Sequence, residues 1–492
     1  VTDPYKFRDM EAEKQAEGGA TKTIFANEEF AGLLQKEFRP KSDSARTAVE
    51  QAVKTLAEQA LANTNLVSDD ALKTIEGIIA AIDKTLTAQV NESAWRGLSY
   101  LVNNTETDEM LKIRVLNISK KDLGKTLKKF KGTAWDQSPI FKKLYEEEYG
   151  QFGGAPYGCL MGDYYFDHSP PDVELLGEMS KIAAAAHAPF LTGAEPTLFQ
   201  MDSWSELANP RDLTKIFQTP EYAAWRSLRE SQEAQYVGLA MPRFLGRLPY
   251  GSKTDPVEDF SFEEDTDGSD HSKYGWGNAA YGMATNITRS FKMYGWCTRI
   301  RGVESGGTVE NLPTHTFPSD DGGVDMKCPT EISDRREAEL ANNGLMPLIH
   351  RKNSDMAAFI GAQSLHKPAE YDDPDATANA NLGARLPYLF ATCRFAHYLK
   401  CIVRDKLGSF KEREAMQNWL QEWINNYVDF NADISSEEVK AERPLAAAEV
   451  VVEEVEGNPG YYSSKFFLRP HYQLEGLSVS LRLVSKLPSE KG

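Results

Sequence analysis

The apolar residues change period along the chain, and that change limits the fold more than any single motif. Toward the N-terminus they recur every three to four residues. Ala45, Ala48, Val49, Ala52, Val53, Leu56, Ala60 and Leu61 form one stripe, and Leu72, Ile75, Ile79, Ile82 and Leu86 a second. That spacing gives a helix one apolar face, which must be covered. Toward the C-terminus the period is two: Leu477, Val479, Leu481 and Leu483 alternate with Ser478, Ser480 and Arg482. This is the pattern of a strand with one buried face. A chain carrying both is a mixed α/β (α+β) protein of several domains, with helices near its start and strands near its end.

At 492 residues there is room for several domains, each of roughly 100–200 residues. Hydrophobic residues at 41% can fill their cores, which excludes global disorder. The charge balance of 55 Lys+Arg against 73 Asp+Glu, net −18, has the wrong sign for a general nucleic-acid binder, which neutralises phosphates with cations. The most apolar stretch, Ile182–Leu191, is interrupted by His187 and Pro189, so no run approaches the ~18 apolar residues of a membrane-spanning helix. The first residues carry charges of both signs and lack the apolar segment of a signal peptide. Five cysteines without a CxxC pair make neither a disulfide framework nor a zinc site, and Cys393 and Cys401 read as buried thiols. Together these features lead us to expect a cytoplasmic protein.

Along the chain, Thr21–Phe25 is a short strand with no sequence neighbour to pair with, behind Gly18-Gly19. Asn27 caps a short helix to Phe38, with Phe30, Leu33, Leu34 and Phe38 on one face. The two stripes then predict a helical pair ending near Val90. Beyond Trp95 the expected elements are a strand at Lys112–Ile118, a basic helix at Lys120–Lys131, Gly-rich turns over Gly150–Gly162 and a helix at Val173–Ala188. A helix over Thr219–Tyr236 follows, with Pro at its first position, then an acidic loop over Glu258–Asp270 and a charged helix at Glu331–Asn342. Asn379–Leu407 reads as a long helical region broken at Pro387. Phe410–Val428 reads as an amphipathic helix with Met416, Trp419, Leu420, Trp423 and Tyr427 in one stripe. Val450–Val455 and Leu477–Val484 are strands.

Catalytic motifs are incomplete. Gly124-Lys125-Thr126 has the end of a phosphate loop, but Ser119 stands where the first glycine is needed. Glu263, Asp265 and Asp267-Gly268 begin like a calcium loop, but Tyr274 occupies the position of the bidentate glutamate. Asp163, Asp167 and His168 resemble part of a dinuclear phosphatase, yet Gly277-Asn278 is followed by alanine rather than histidine. Neither HExxH nor GxSxG occurs. No cofactor or metal is expected, and a hydrolase using the Gly/Asp/His residues of 150–168 is the alternative reading.

Several long blocks are more specific. They include Trp95–Leu101 (WRGLSYL), Ala155–Pro170 (APYGCLMGDYYFDHSP), Pro210–Phe217 (PRDLTKIF) and Glu221–Ser231 (EYAAWRSLRES). Further blocks are Gly238–Tyr250 (GLAMPRFLGRLPY), Tyr274–Tyr281 (YGWGNAAY), Arg394–Lys400 (RFAHYLK) and Phe467–Leu487 (FLRPHYQLEGLSVSLRLVSKL). In this order they resemble the large subunit of the contractile sheath of bacterial type VI secretion systems, the VipB/TssC-like family. One departure is that Val90–Ser93 runs nearly straight into Trp95, where family members usually carry a His-His…Phe-x-x-Leu stretch.

The resemblance implies a structural part rather than an enzyme. A heterodimer with a small sheath subunit stacks with further copies into a six-start helical sheath around inner-tube hexamers. The sheath starts at a baseplate, contracts to drive the tube outward, and is recycled by an AAA+ unfoldase; neither nucleic acid nor membrane insertion is involved. The implied organisation is a linker strand and short helix in 1–43, a helical hairpin docking on the small subunit in 44–90, a middle domain in 91–330, and an inner sheath domain with linking strands in 331–492. On this reading Thr21, Lys22, Thr23, Ile24 and Phe25 link subunits with Leu477, Val479, Leu481 and Leu483. Lys406, Lys411, Arg413 and Glu414 meet the inner tube, and Phe30, Leu33, Leu34 and Phe38 meet the unfoldase.

Overall fold

The structure, a computed structural model, describes residues 86–209, 212–256, 263–266, 268, 270–319, 322–406, 413–432, 434–454 and 462–471. Thr21–Phe25, Asn27–Phe38, the first helical stripe, the second up to Ile82, Lys411 and Leu477–Val484 lie outside them. The described residues divide between two compact units, one including Pro249–Gly275 and the other built from Ala94–Leu248 and Trp276–Gly492.

The larger unit is organised by a six-stranded sheet. Its strands are β1 (Leu160–Phe166), β2 (Phe190–Ala194), β3 (Val237–Met241), β4 (Thr308–Val309), β5 (Leu345–His350) and β6 (Ala357–Phe359), in the order β1-β2-β3-β5-β6-β4. The first four are parallel and the remaining pairings antiparallel. Every residue of β2 and of β3 is buried, as expected of parallel strands covered on both faces. Successive side chains of a strand point to opposite faces, and here they enter two separate cores. Phe190, Leu239, Met241 and Leu345 join one cluster, while Leu191, Ala240 and Met346 join the other. Helix α3 (Pro170–Ala186), the crossover between β1 and β2, packs Leu176, Met179 and Ile182 into the first cluster. Helix α4 (Ala279–Tyr294) packs Met283 and Ile287 into the second. Asn278 fixes the start of α4: its side chain accepts from Ala280 N at 2.9 Å and donates to Tyr164 O of β1 at 3.1 Å.

Helix α1 (Leu86–Asn103) runs straight through the point where the sequence predicts an end near Val90. The Trp-Arg-Gly block continues it because Leu98 and Leu101 pack into the second cluster. Tyr100 meets the Phe244 ring with centroids 5.5 Å apart. Gly97 permits the approach to α4, since a Cβ there would overlap the Tyr281 ring. The Tyr281 hydroxyl donates to Ala94 O at 3.3 Å.

Other expectations need correction. Lys112–Ile118 joins no sheet; Tyr164 Oη donates to Ile118 O at 2.8 Å, so side-chain contacts hold it where a ladder was expected. The basic helix is α2 (Lys120–Lys129), capped by Ser119. Thr219–Tyr236 is three pieces, because Ser231 is extended and its hydroxyl donates to Leu228 O at 2.7 Å. The long helical region breaks at Ala384–Arg385, between α5 (Pro374–Gly383) and α6 (Leu386–Lys406), three residues before Pro387. Ser364 N donates to Ala384 O at 3.1 Å and Leu386 N to Ala362 O at 3.0 Å, which turns the junction toward a neighbouring loop. Pro387 lies in the first turn of α6, where its missing N–H costs nothing. Cys393 is buried, but Cys401 is only half-buried.

Gly97→Ala is expected to destabilise the fold by ~1–3 kcal/mol, as overpacking against a held ring does, even though alanine favours helix over glycine. Urea unfolding checks this, and an unchanged or raised midpoint would contradict the close approach.

Candidate assembly interface

The last part of the described chain is a separate module around a third core. Helix α6 contributes Leu386, Leu389 and Phe390 to the second cluster and Phe395 and Leu399 to the third, so one helix joins the sheet to the module. Helix α7 (Arg413–Asn425) presents the predicted stripe: Leu420 is buried, and Met416, Trp419 and Trp423 pack beside it with Tyr427. Trp296 stacks on Phe395 at 4.3 Å between centroids and meets Tyr427 edge-on at 5.3 Å.

Against α7 lies an antiparallel pair, β7 (Leu445–Glu454) and β8 (Tyr462–Pro470), with Ala448 opposite Leu468, Val450 opposite Phe466 and Val452 opposite Ser464. Val450 and Val452, each 2% exposed, turn inward with Phe466 and Leu468, while Glu449, Glu453, Lys465 and Phe467 face outward. Glu453 and Lys465 pair across that outer face at 2.6 Å.

The two long edges of this pair differ. On β7, Val450 N donates to Gln421 Oε1 at 2.8 Å and Val452 N to Gln417 Oε1 at 3.0 Å, while Gln421 Nε2 donates to Ala448 O at 3.0 Å. These three residues therefore turn their backbone groups away from β8. In an antiparallel ladder such positions alternate with the bonded ones, and the residue opposite also points away. Ser464, Phe466 and Leu468 thus turn their N–H and C=O groups to the outer edge of β8. No strand among the described residues pairs with that edge. Strand β8 ends at Pro470, and the next residue, His471, has Nε2 2.8 Å from Arg443 O and donates its backbone N–H to Pro444 O at 3.1 Å.

A buried histidine connects the module to the sheet layer. His397 of α6, 2% exposed, has Nε2 2.8 Å from the carbonyl of Ala186 at the end of α3. Its ring meets Tyr149 at 5.0 Å, and the Lys400 ammonium lies 3.8 Å from the centroid of that tyrosine. Burial lowers the His397 pKa to about 4, the nearby Arg394, His187 and Lys400 charges act in the same direction, and the Ala186 carbonyl opposes them.

Of the expected linking, tube and unfoldase residues, the described ones are few. Lys406 is the last residue of α6, Arg413 the first of α7, and Glu414 is exposed on α7. Thr21–Phe25, Phe30, Leu33, Leu34, Phe38, Lys411, Leu477, Val479, Leu481 and Leu483 are outside. The glutamines and β8 have no place in the sequence reading, although two glutamines four apart beside an apolar stripe were a visible signal.

The residues of the hydrolase alternative have structural surroundings. Asp163 is pushed up by burial, against hydrogen bonds to Asn278 and Tyr281 and the Arg243 charge. His168 stacks on Tyr222 at 4.1 Å, and Asp167 accepts from Ser169 N at 2.8 Å. The two described carboxylates of the calcium-like run bind protein groups: Glu263 accepts from Ser252 N at 2.9 Å, and Asp265 pairs with Lys273 at 2.8 Å. Thr126 of the phosphate-loop-like run donates to Asp122 O at 2.7 Å within α2. Among the described residues no three His, Cys, Asp or Glu side chains form a metal site, and no helix is long and apolar enough to cross a membrane.

The sequence that builds this sheet and module matches a known class of assembly protein. Residues 73–366 match the EvpB/VC_A0108 tail sheath N-terminal domain, and residues 375–487 match the tail sheath gpW/gp25-like domain of the same group. The chain belongs to this tail sheath family. It is 74% identical over 496 aligned residues to the type VI secretion system sheath protein TssC1 of Pseudomonas aeruginosa, covering 98% of this chain and 99% of that protein. It is a structural subunit of a type VI secretion contractile sheath. Two solved assemblies of the anti-feeding prophage also show similarity at 12% identity. One is its baseplate, with a TM-score of 0.32 covering 62% of this chain and 64% of that one. The other is its contracted helical sheath, with a TM-score of 0.25 covering 61% and 72%.

The His397 shift has a definite sign. Between its ordinary 6.5 and the folded value of about 4, the unfolded chain takes up a proton that the folded chain refuses. Stability is full above pH 6.5 and falls as the pH drops toward 4, by ~3 kcal/mol from this group. His397→Gln keeps an N–H donor for Ala186 and cannot ionise. Urea unfolding at neutral pH and near pH 4.5 is expected to show an acid loss smaller by ~1–3 kcal/mol in the variant, whereas equal losses would contradict a neutral buried ring.

Proposed function

We propose that this chain is the large sheath subunit, which pairs with a small subunit and stacks with copies of itself into a six-start tube around inner-tube hexamers. The sheath assembles on a baseplate in the bacterial cytoplasm, contracts to propel the tube, and is recycled by an AAA+ unfoldase; the chain itself turns over no substrate. The observation that carries this reading is the 74% identity over nearly the full length of a sheath protein. Head-to-tail contacts whose rotation does not close build helical filaments.

In this reading 1–43 is the linker, 44–90 docks on the small subunit, 91–330 forms the middle domain, and 331–492 lies nearest the tube. Thr21–Phe25 of one copy adds to the C-terminal sheet of another, with Leu477, Val479, Leu481 and Leu483 in the strand that completes it. Main-chain bonds tie subunits together with little demand on side-chain identity. The energy of contraction resides in the metastable packing of the extended sheath. Lys406, Lys411, Arg413 and Glu414 face the tube, where exposed ion pairs are weak enough to let it slide. Phe30, Leu33, Leu34 and Phe38 form the anchor row for the unfoldase.

Deletion of residues 1–25 is expected to abolish long sheaths and spare the heterodimer; long contractile tubes from the truncated chain would refute strand exchange. Charge reversal at Lys411 and Arg413 is expected to block assembly around the tube, with the heterodimer intact, and normal sheaths would remove that contact. A peptide covering Asn27–Phe38 is expected to bind the unfoldase's N-terminal domain, and absence of binding removes that role.

A further inference from the structure

We propose that the basic face of α2 takes the acidic Tyr371 loop of a second copy of this chain, as a head-to-tail contact between stacked subunits. This rests on the sheath reading above, and adds a side-chain contact that strand exchange does not use.

The sign of the charge carries the first half. The chain has a net charge of −18, so copies repel one another as whole bodies. At physiological salt that repulsion fades beyond ~8 Å, and the groups at the contact decide whether two copies can touch. Between Lys120 and Lys143 stand eight lysines and two aspartates, the reverse of the overall balance. Helix α2 buries Leu123 and Leu127 in the first core, which turns Lys121, Lys125, Lys128 and Lys129 to solvent. The α3 carboxylates Asp172 and Glu174 are already paired, with Lys120 at 2.7 Å and Lys131 at 2.6 Å. Lys125 has Asp122 at 4.0 Å, and Lys121, Lys128 and Lys129 form no ion pair among the described residues. Just before α2, Val115 and Leu116 are 67% and 52% exposed. The face joins cations to apolar side chains, which fits a partner that is both anionic and aromatic.

The loop before α5 has that character. Glu370, Tyr371 and Asp372 are exposed in succession, Tyr371 at 56%. The loop is braced on α5. Tyr371 N donates to Thr377 Oγ1 at 2.8 Å, that hydroxyl donates to Tyr371 O at 3.0 Å, and Thr377 N donates to Asp373 O at 3.1 Å. A braced loop presents its ring with little further ordering cost, and tyrosine is a frequent anchor of protein interfaces. Both surfaces belong to the larger unit, yet among the described residues no ion pair joins them within one chain. Two different patches that complement each other between copies make a heterologous contact, which repeats along a row. Tyr371 then meets Val115 and Leu116, with Glu370 and Asp372 against the lysines.

Lysine labelling and charge exchange, on the heterodimer and on assembled sheaths, test this. Acetylation of Lys121, Lys128 and Lys129 is expected to be rapid in the heterodimer and at least ~10-fold slower in sheaths. Lys121→Glu with Lys128→Glu and Lys129→Glu is expected to raise the heterodimer concentration needed for tubes ~10-fold, and Glu370→Lys with Asp372→Lys to do the same. Combining the two sets restores opposite signs and is expected to return that concentration to within ~3-fold of the unmodified chain. The changes are confined to exposed residues, and an intact heterodimer shows that each variant folds. Slow labelling already in the heterodimer, or loss of the heterodimer in the lysine set, would assign the face to another occupant and overturn the proposal. Unchanged assembly in either set would also overturn it, as would two losses that the combination does not reverse. An unmodified heterodimer that forms no tubes would instead overturn the sheath reading itself.

Discussion

The parallel strands β1, β2, β3 and β5 are covered on both faces, and the rest of the larger unit is arranged to provide that cover. A parallel sheet needs crossover connections and cannot leave one face in water. Here α3 supplies the first layer and α4 the second, with alternate residues of each strand divided between two cores. Burial of this kind contributes roughly 1.5–3 kcal/mol for each large apolar side chain. Close approaches such as Gly97 against Tyr281 are the sites where that cover has least tolerance.

Helix α6 carries this rigidity to the C-terminal module. Its first turns belong to the second core and its middle to the third, and His397 fixes it to the end of α3. The β7–β8 pair is different in kind: it has two strands, one face on the third core and, among the described residues, one edge that no strand pairs with.

The parts of the fold legible in the sequence were those with a one-sided pattern. The stripe from Met416 to Tyr427 is periodic because α7 packs a single face on the third core. Strands β2, β3 and β5 were illegible because burial on both faces removes alternation. Strand β8 was missed as a strand because its inward positions, Ser464, Phe466 and Leu468, mix polar and apolar residues. The Lys112–Ile118 alternation misled for a converse reason: Ile113 and Ile118 are anchored by separate cores without a ladder. Gln417 and Gln421 had no place in the sequence reading, because their bonds to β7 depend on a strand distant in sequence. The family was legible through long blocks, several of which fall on the buried sheet and on α6.

The most direct measurement is an electron cryo-microscopy reconstruction of the tubes formed by this chain with its small partner. The account predicts a helical sheath in which a strand from a neighbouring subunit adds to the C-terminal sheet. Discrete particles without tubes, or tubes in which that sheet takes no strand from a neighbour, would contradict it.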